Sequence, residues 1–382
     1  MLQNFLNNKP LYYDKIDYTR MPRAYESIKK QLKLPKIIHI IGTNGKGTTG
    51  RFLAHALYKA EFCVGHYTSP HILEFNERIW LNGKESSDLM LEEAHTKLLT
   101  LLDKVMANEL SYFEYTTLLA MVVFQECDYV VLEAGLGGEY DATAVFDNIL
   151  TLITPIAKDH EAFLGTTIQE IATTKLNAIQ THGILGKQKV SQVYDVAETL
   201  KKKKQLDIDT FETYLHTKNY KDVESIAKKL HLSHYLQENL LLCISALNYL
   251  HVSYEKEYFH GAKLFGRLTQ FTPNIILDVG HNVLAAQALL EALQGKKFVL
   301  VYNTYKDKEY EKILTLLSPI IKRIEIISID DNRIVEFEYL EKVIKTLGIS
   351  YTVFEKVAMD EVYLVFGSFS VVEAFLRRYE NG

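Results

Sequence analysis

The stretch KIIHIIGTNGKGTTGRFLAHALYKA, residues 36–60, constrains the fold more than any other part of the chain. A β-branched apolar run ends in a loop carrying Gly42, Gly45 and Gly47, and a segment with helical spacing follows. A strand that turns into a helix through glycines belongs in a parallel α/β sheet. Backbone N–H groups and the positive helix end meet there, and a phosphate fits the place. Lys46 offers a point charge for β- and γ-phosphates, and Thr48 a hydroxyl for Mg²⁺. The spacing departs from the common phosphate loop G-x-x-x-x-G-K-[ST]. Only two residues part Gly42 from Gly45, and Gly47 stands between Lys46 and Thr48.

The same alternation runs through the rest of the chain. Strand-length apolar runs fall at 36–41, 128–134, 149–154, 274–278, 297–302, 323–328 and 361–366. Helical spacing falls near 46–60, 88–107, 114–126, 167–179, 191–203, 237–250, 282–294, 307–317, 336–347 and 369–379. This predicts α/β architecture with mostly parallel sheets covered by helices. A chain of 382 residues suits two domains. The alternation restarts after GRLTQFTP (266–273), which puts the boundary near 265. Residues 1–265 then form a P-loop ATPase-type doubly wound sheet domain, and 266–382 a smaller Rossmann-like α/β domain. One stretch resists this scheme. A parallel crossover needs about a dozen residues or more, yet only six separate YTVF (351–354) from the strand at 361–366. Either the two are not parallel neighbours, or YTVF is no strand.

A net charge of −5 argues against a chain-wide nucleic-acid or anionic-membrane role, so any anion site is local. Cys63, Cys127 and Cys243 are far apart and odd in number, as in a reducing compartment rather than a disulfide framework. MLQNFLNNKPLYYDK lacks the features of a secretory signal, and apolar runs such as LLAMVVF (118–124) are too short to span a bilayer. A cytoplasmic protein is expected, with no nucleic-acid or membrane partner.

Three further positions bear on chemistry. In VVLEAGLGGEYDAT, Glu133 ends a buried strand, where a Walker B acid would face the nucleotide. Asp159 and His160 follow the strand ILTLIT at the same rim, although imidazole is an unusual Mg²⁺ ligand. Lys175 is a poor neighbour for two cations unless it becomes an anion.

Taken together, several segments resemble the folylpolyglutamate synthase/dihydrofolate synthase family of the Mur ligase superfamily. They are GTNGKGTT, TSPHILEFNERIWLNG (68–83), SYFEYTTLLA (111–120), LEAGLGGEYDAT (132–143), ITPIAKDHEAFLGTTIQEIATTK (153–175), FGRLTQF and DVGHN. The GKG form of the loop is the folate-ligase version; related peptidoglycan ligases typically show GKT. The resemblance implies an ATP-driven amide ligase. A substrate carboxylate takes the γ-phosphate, and the amine of L-glutamate attacks the resulting acyl phosphate. The substrate acid is dihydropteroate, a reduced folate, or both, and a monomer is expected.

The resemblance also assigns roles. Residues 1–265 become a Mur-ligase-type ATP-binding domain and 266–382 a glutamate-binding domain. Gly45, Lys46, Gly47 and Thr48 hold the triphosphate. Thr48, Ser69 and Glu133 surround a first Mg²⁺, His160 binds a second, and a carbamylated Lys175 stands nearby. Phe113, Glu114, Tyr140, Asp141 and Ala142 match positions of the pterin pocket. Asn239 matches a nucleotide contact, Arg267 a phosphate contact at the interdomain hinge, and Asp278 a ribose contact. His281 and Ser368 match the region that receives glutamate.

Some positions depart from the family pattern. Glu139 replaces the Arg of GLGGR, Lys158 precedes Asp159-His160, T-K-L-N replaces E-K-A-G, and DVGHNV replaces DGAHNP. The helix usual between the last two strands is absent from the sequence. Three rival readings remain. A P-loop kinase would account for the loop and Glu133 but not for Arg267, Asp278 and His281. A nucleotide-binding module without catalysis would accommodate the altered positions. A peptidoglycan-type ligase is opposed by GKG and the SPH motif.

Overall fold

The computed structural model describes residues 1–10 and 17–380. Residues 11–15, the end of the N-terminal stretch assessed above for a secretory signal, lie outside the described residues. The chain forms two compact units. The first holds Met1–Leu232 and Leu236–Ala262; the second holds Ser233–Tyr235 and the chain from Lys263 onward.

The first unit is built on an eight-stranded sheet. Its strands are β1 (Lys36–Ile41), β2 (Val64–Tyr67), β3 (Ile79–Leu81), β4 (Lys84–Glu85), β5 (Tyr129–Glu133), β6 (Leu150–Ile153), β7 (His182–Leu185) and β8 (Asp207–Thr210). Their spatial order is β4-β3-β2-β5-β1-β6-β7-β8. Pairings are parallel except β2 with β3 and β3 with β4, which turn one edge antiparallel. The central strands are apolar on both faces because helices cover both; β1 is buried from Ile37 to Ile41. β1 lies between β5 and β6, where the chain order reverses. In open α/β sheets, ligands bind beyond the carboxyl ends of the strands at such a point. The loop 42–45 begins there.

The second unit carries a six-stranded sheet of β9 (Thr269–Thr272), β10 (Ile275–Asp278), β11 (Phe298–Tyr302), β12 (Ile321–Ile326), β13 (Tyr351–Val353) and β14 (Tyr363–Phe366). The order is β13-β12-β11-β14-β10-β9, with only β9 antiparallel to its neighbour. YTVF therefore does contain a strand. It sits at the sheet edge, parallel to β14 but separated from it by β12 and β11, so the two are not neighbours, and residues 354–362 cross between them without a helix.

Two local expectations need correcting. The helix expected over 88–107 is two helices, Asp88–Leu101 and Lys104–Glu109, because the Asp103 side chain accepts from Met106 N at 2.8 Å and caps a new start. The strand expected at 323–328 runs from Ile321 to Ile326. Among the described residues, no helix is long and apolar enough to cross a membrane.

Candidate active site

Gly45 is the N-terminal cap of the helix Lys46–Lys59 and has φ 88°. A Cβ there would fall 2.5 Å from Asn239 Oδ1, so glycine alone admits this approach. The loop is tied to the end of β6, since Thr43 N and Asn44 N donate to Pro155 O at 2.9 and 3.2 Å. Lys46 Nζ lies 3.4 Å from the carbonyls of Gly42 and Thr43 and 3.8 Å from Glu133 Oε1. Glu133 ends β5 and is buried, and Thr68 donates its hydroxyl to Glu133 Oε2. Thr48 is buried too, and its hydroxyl has no hydrogen-bond partner among the described residues. Ser69 follows Thr68, half-buried.

Lys175 lies on the helix Ile168–Leu176 and is fully enclosed, with Nζ donating to Gly42 O at 3.0 Å. Burial pushes its ammonium down to about 7, and Lys46 pushes the same way while Asp159 and Asp141 oppose. The helix is pinned beneath the loop after β5. A Cβ on Gly138 would meet Lys175 O at 2.5 Å, and Glu139 N donates to Thr174 O at 3.0 Å. His160 caps the short helix Glu161–Leu164 with φ 52°. Its ring is partly exposed, and Nε2 stands 3.9 Å from Asp159 Oδ1.

A cavity of about 670 Å³ opens beside these elements in the same unit. Glu114, Tyr140, Asp141 and Ala142 line it together with Tyr18, Tyr25, Lys29, Lys30 and Glu139. Arg20 Nε donates to Glu114 Oε2 at 2.7 Å in a nearly buried pair. Tyr18 and Tyr140 approach with ring centroids 4.8 Å apart. Asp141 is enclosed yet accepts from Leu136 N, Thr143 N and Thr143 Oγ1 at 2.7, 2.9 and 2.6 Å. Burial raises its carboxyl above the usual range, while these bonds and Lys46 hold it down. Phe113 lies beside the Tyr67 ring, 5.9 Å between centroids and tilted by 32°, against Gly135. Glu139 is engaged by Asn177 Nδ2 at 2.7 Å.

In the second unit, Asp278 ends β10 and accepts from Leu268 N at 2.9 Å, Gly280 N at 2.8 Å and Tyr235 OH at 3.3 Å. Burial raises its carboxyl; nearby Arg267 lowers it. The Arg267 guanidinium lies 5.0 Å from the Phe369 ring centre. β10 and β14 are neighbours, and Gly367 N donates to Gly280 O at 3.2 Å, so the loops carrying His281 and Ser368 lie side by side. Two helices start there. Asn282 Oδ1 accepts from Ala285 N at 3.0 Å, and Ser368 Oγ accepts from Val371 N at 3.1 Å.

Sequence reading missed Arg20 and Thr68. Thr68 stands next to Ser69 in a motif already singled out, whereas nothing around Arg20 marks it.

A dihydrofolate synthase/folylpolyglutamate synthase from Haemophilus influenzae is 30% identical to this chain, aligning over 93% of it and 92% of the relative. The chain belongs to the dihydrofolate synthase/folylpolyglutamate synthase family. Members are ATP-dependent ligases that join glutamate to a folate-type acid, and this chain is a ligase of that kind. The crystal structure of Helicobacter pylori folylpolyglutamate synthetase matches with a TM-score of 0.81 and 36% identity, over 100% of this chain and 98% of that one. A bifunctional folylpolyglutamate synthase/dihydrofolate synthase from Yersinia pestis, complexed with AMPPNP and an Mn ion, shares the fold at a TM-score of 0.80 and 24% identity. That match covers 98% of this chain and 96% of the other. No family model matches the chain. Membership in this folate-ligase family sets aside the kinase and peptidoglycan-ligase readings.

Proposed function

We propose that this folate ligase adds L-glutamate both to dihydropteroate and to reduced folates, through an acyl phosphate formed with ATP. ATP and a divalent metal are its cofactors. The observation that carries the reading is the convergence of Lys46 and Glu133 at the mouth of the phosphate loop, in the unit that also holds the carboxylate-lined cavity.

The residues present suit a hard divalent cation. The unpartnered buried hydroxyl of Thr48 and the buried carboxylate of Glu133 are oxygen donors of the kind Mg²⁺ takes. Thr48, Ser69 and Glu133 would hold the first Mg²⁺ and His160 a second. When bound, the ions neutralise charge that builds up on a transferring phosphoryl group.

The chain's own groups then divide the work. Gly45, Gly47 and the first turn of the helix Lys46–Lys59 cradle the phosphates, and Lys46 adds a fixed positive charge. Asn239, against Gly45, would contact the nucleotide, and Arg267 and Asp278 would serve its phosphate and ribose. Lys175, with its ammonium destabilised, exposes the neutral amine that CO₂ attacks, and the carbamate supplies an anion. In the cavity, Glu114, Tyr140, Asp141 and Ala142 hold the pteridine; Phe113 packs beside Tyr67 and Gly135 and does not line it. The adjoining helix starts near His281 and Ser368 favour the carboxylates of glutamate. The substrate carboxylate attacks the γ-phosphorus and ADP leaves. The glutamate amine then attacks the acyl carbon, phosphate leaves, and the nitrogen gives up a proton. Water would hydrolyse that acyl phosphate, so its exclusion is part of the reaction.

ADP release measured with glutamate plus dihydropteroate, and separately with glutamate plus tetrahydrofolate, tests the dual specificity. Release with both supports it. Release with only one acid restricts the enzyme to that acid.

A further inference from the structure

We infer that His39 and Thr143 are positioning residues, a buried two-step support that fixes the Asp141 carboxylate at the wall of the cavity. The inference rests on the reading of that cavity as the pteridine site. His39 stands in the middle of β1 and is enclosed, and its Nε2 lies 2.7 Å from Thr143 Oγ1. Thr143 Oγ1 lies 2.6 Å from Asp141 Oδ1.

The direction of each bond follows from proton counting. A carboxylate only accepts, so the single hydroxyl proton of Thr143 goes to Asp141. The hydroxyl oxygen must then accept from His39, which fixes the imidazole with its proton on Nε2. His39 Nδ1, the acceptor nitrogen in this tautomer, has no hydrogen-bond partner among the described residues. Burial lowers the imidazolium to about 4, which keeps one proton on the ring at neutral pH.

The support has a consequence for recognition. An ionised carboxylate offers about four acceptor positions. Leu136 N, Thr143 N and Thr143 Oγ1 take three of those on Asp141. One position remains for a donor in the cavity, which suits a ring N–H of a pteridine. Without the hydroxyl, Asp141 Oδ1 loses its shortest bond. The carboxylate then turns more freely and meets that donor less often in the productive orientation.

Steady-state kinetics of Thr143→Val, Thr143→Ser, His39→Phe and Asp141→Asn, with melting temperatures, test this in the full chain. The inference predicts that Thr143→Val raises KM for the pteridine acid about tenfold, the effect of one lost charge-assisted hydrogen bond. KM for ATP should stay at the wild-type value, Thr143→Ser should restore the pteridine KM, and His39→Phe should shift it in the same direction as Thr143→Val. If Asp141→Asn raises the pteridine KM while Thr143→Val leaves it unchanged, the support is refuted. It is refuted equally if Thr143→Val raises both KM values alike with a lower melting temperature, since that is a folding defect. If Asp141→Asn leaves the pteridine KM unchanged, the cavity is not the pteridine site and the inference falls with that reading.

Discussion

Lys46 Nζ stands 3.8 Å from Glu133 Oε1, although the two residues belong to different elements, the first turn of a helix and the last residue of β5. Both are largely shielded from water, so their charges act on each other and on any phosphate between the loop and the strand end more strongly than surface charges would. Glu133→Gln keeps the shape and removes the charge. It is predicted to reduce ligation at least about 100-fold, the scale of removing one electrostatic group from an active site. A loss of only a few-fold, with an unchanged melting curve, would exclude Glu133 as a metal ligand.

Lys175 is predicted to carry a carbamate, and Lys175→Ala to be nearly inactive with partial rescue by acetate at high concentration. The added carboxylate would supply the anion that the proposed carbamate provides. Full activity of the alanine variant in CO₂-depleted buffer would end that proposal.

The same residue gives a pH signature of stability. In CO₂-depleted buffer the amine is unmodified, and its folded-state value of about 7 lies below the ordinary 10.5. Between these values the unfolded chain binds the extra proton, so stability rises with pH across that interval. Below about 7 the penalty for burying the ammonium is complete. Urea unfolding of the wild type relative to Lys175→Met should therefore show a gap that moves in favour of the wild type from pH 6.5 to pH 9.5. A gap that stays constant would mean that the lysine is not desolvated.

The buried Arg20–Glu114 pair should be costly to break. Arg20→Ala leaves a carboxylate uncompensated in a nearly dry place, which destabilises by about 3–5 kcal/mol in comparable cases. It should also raise KM for the pteridine acid, because Glu114 forms part of the cavity wall. Denaturant midpoints close to wild type would show that Glu114 finds another partner or is solvated.

Much of this site is visible in the sequence for a physical reason. The run KIIHII is long, β-branched and buried, and the glycines after it have no role in an ordinary strand, so β1 and its loop stand out. Glu133 is legible because β5 is equally apolar. β2, β7 and β8 are not, since VGHY, HGIL and DIDT are short and interrupted by Gly, His or Asp. Their strand identity comes from pairing with neighbours rather than from propensity. Arg20 and Glu114 are 94 residues apart, and His39 and Thr143 are 104 apart. No local pattern announces such partners; the sheet brings them together. The capping Asp103 could have been read as a helix start, but the apolar periodicity on both sides of it obscures the break.

The central claim is that ATP is consumed to activate a pteridine-linked carboxylate for attack by glutamate. The most direct measurement follows heavy oxygen placed in the carboxylate of dihydropteroate, with MgATP and L-glutamate present. The account predicts that labelled oxygen appears in the released phosphate as the product gains one glutamyl residue. Unlabelled phosphate, or ADP release without an amide product, would contradict it.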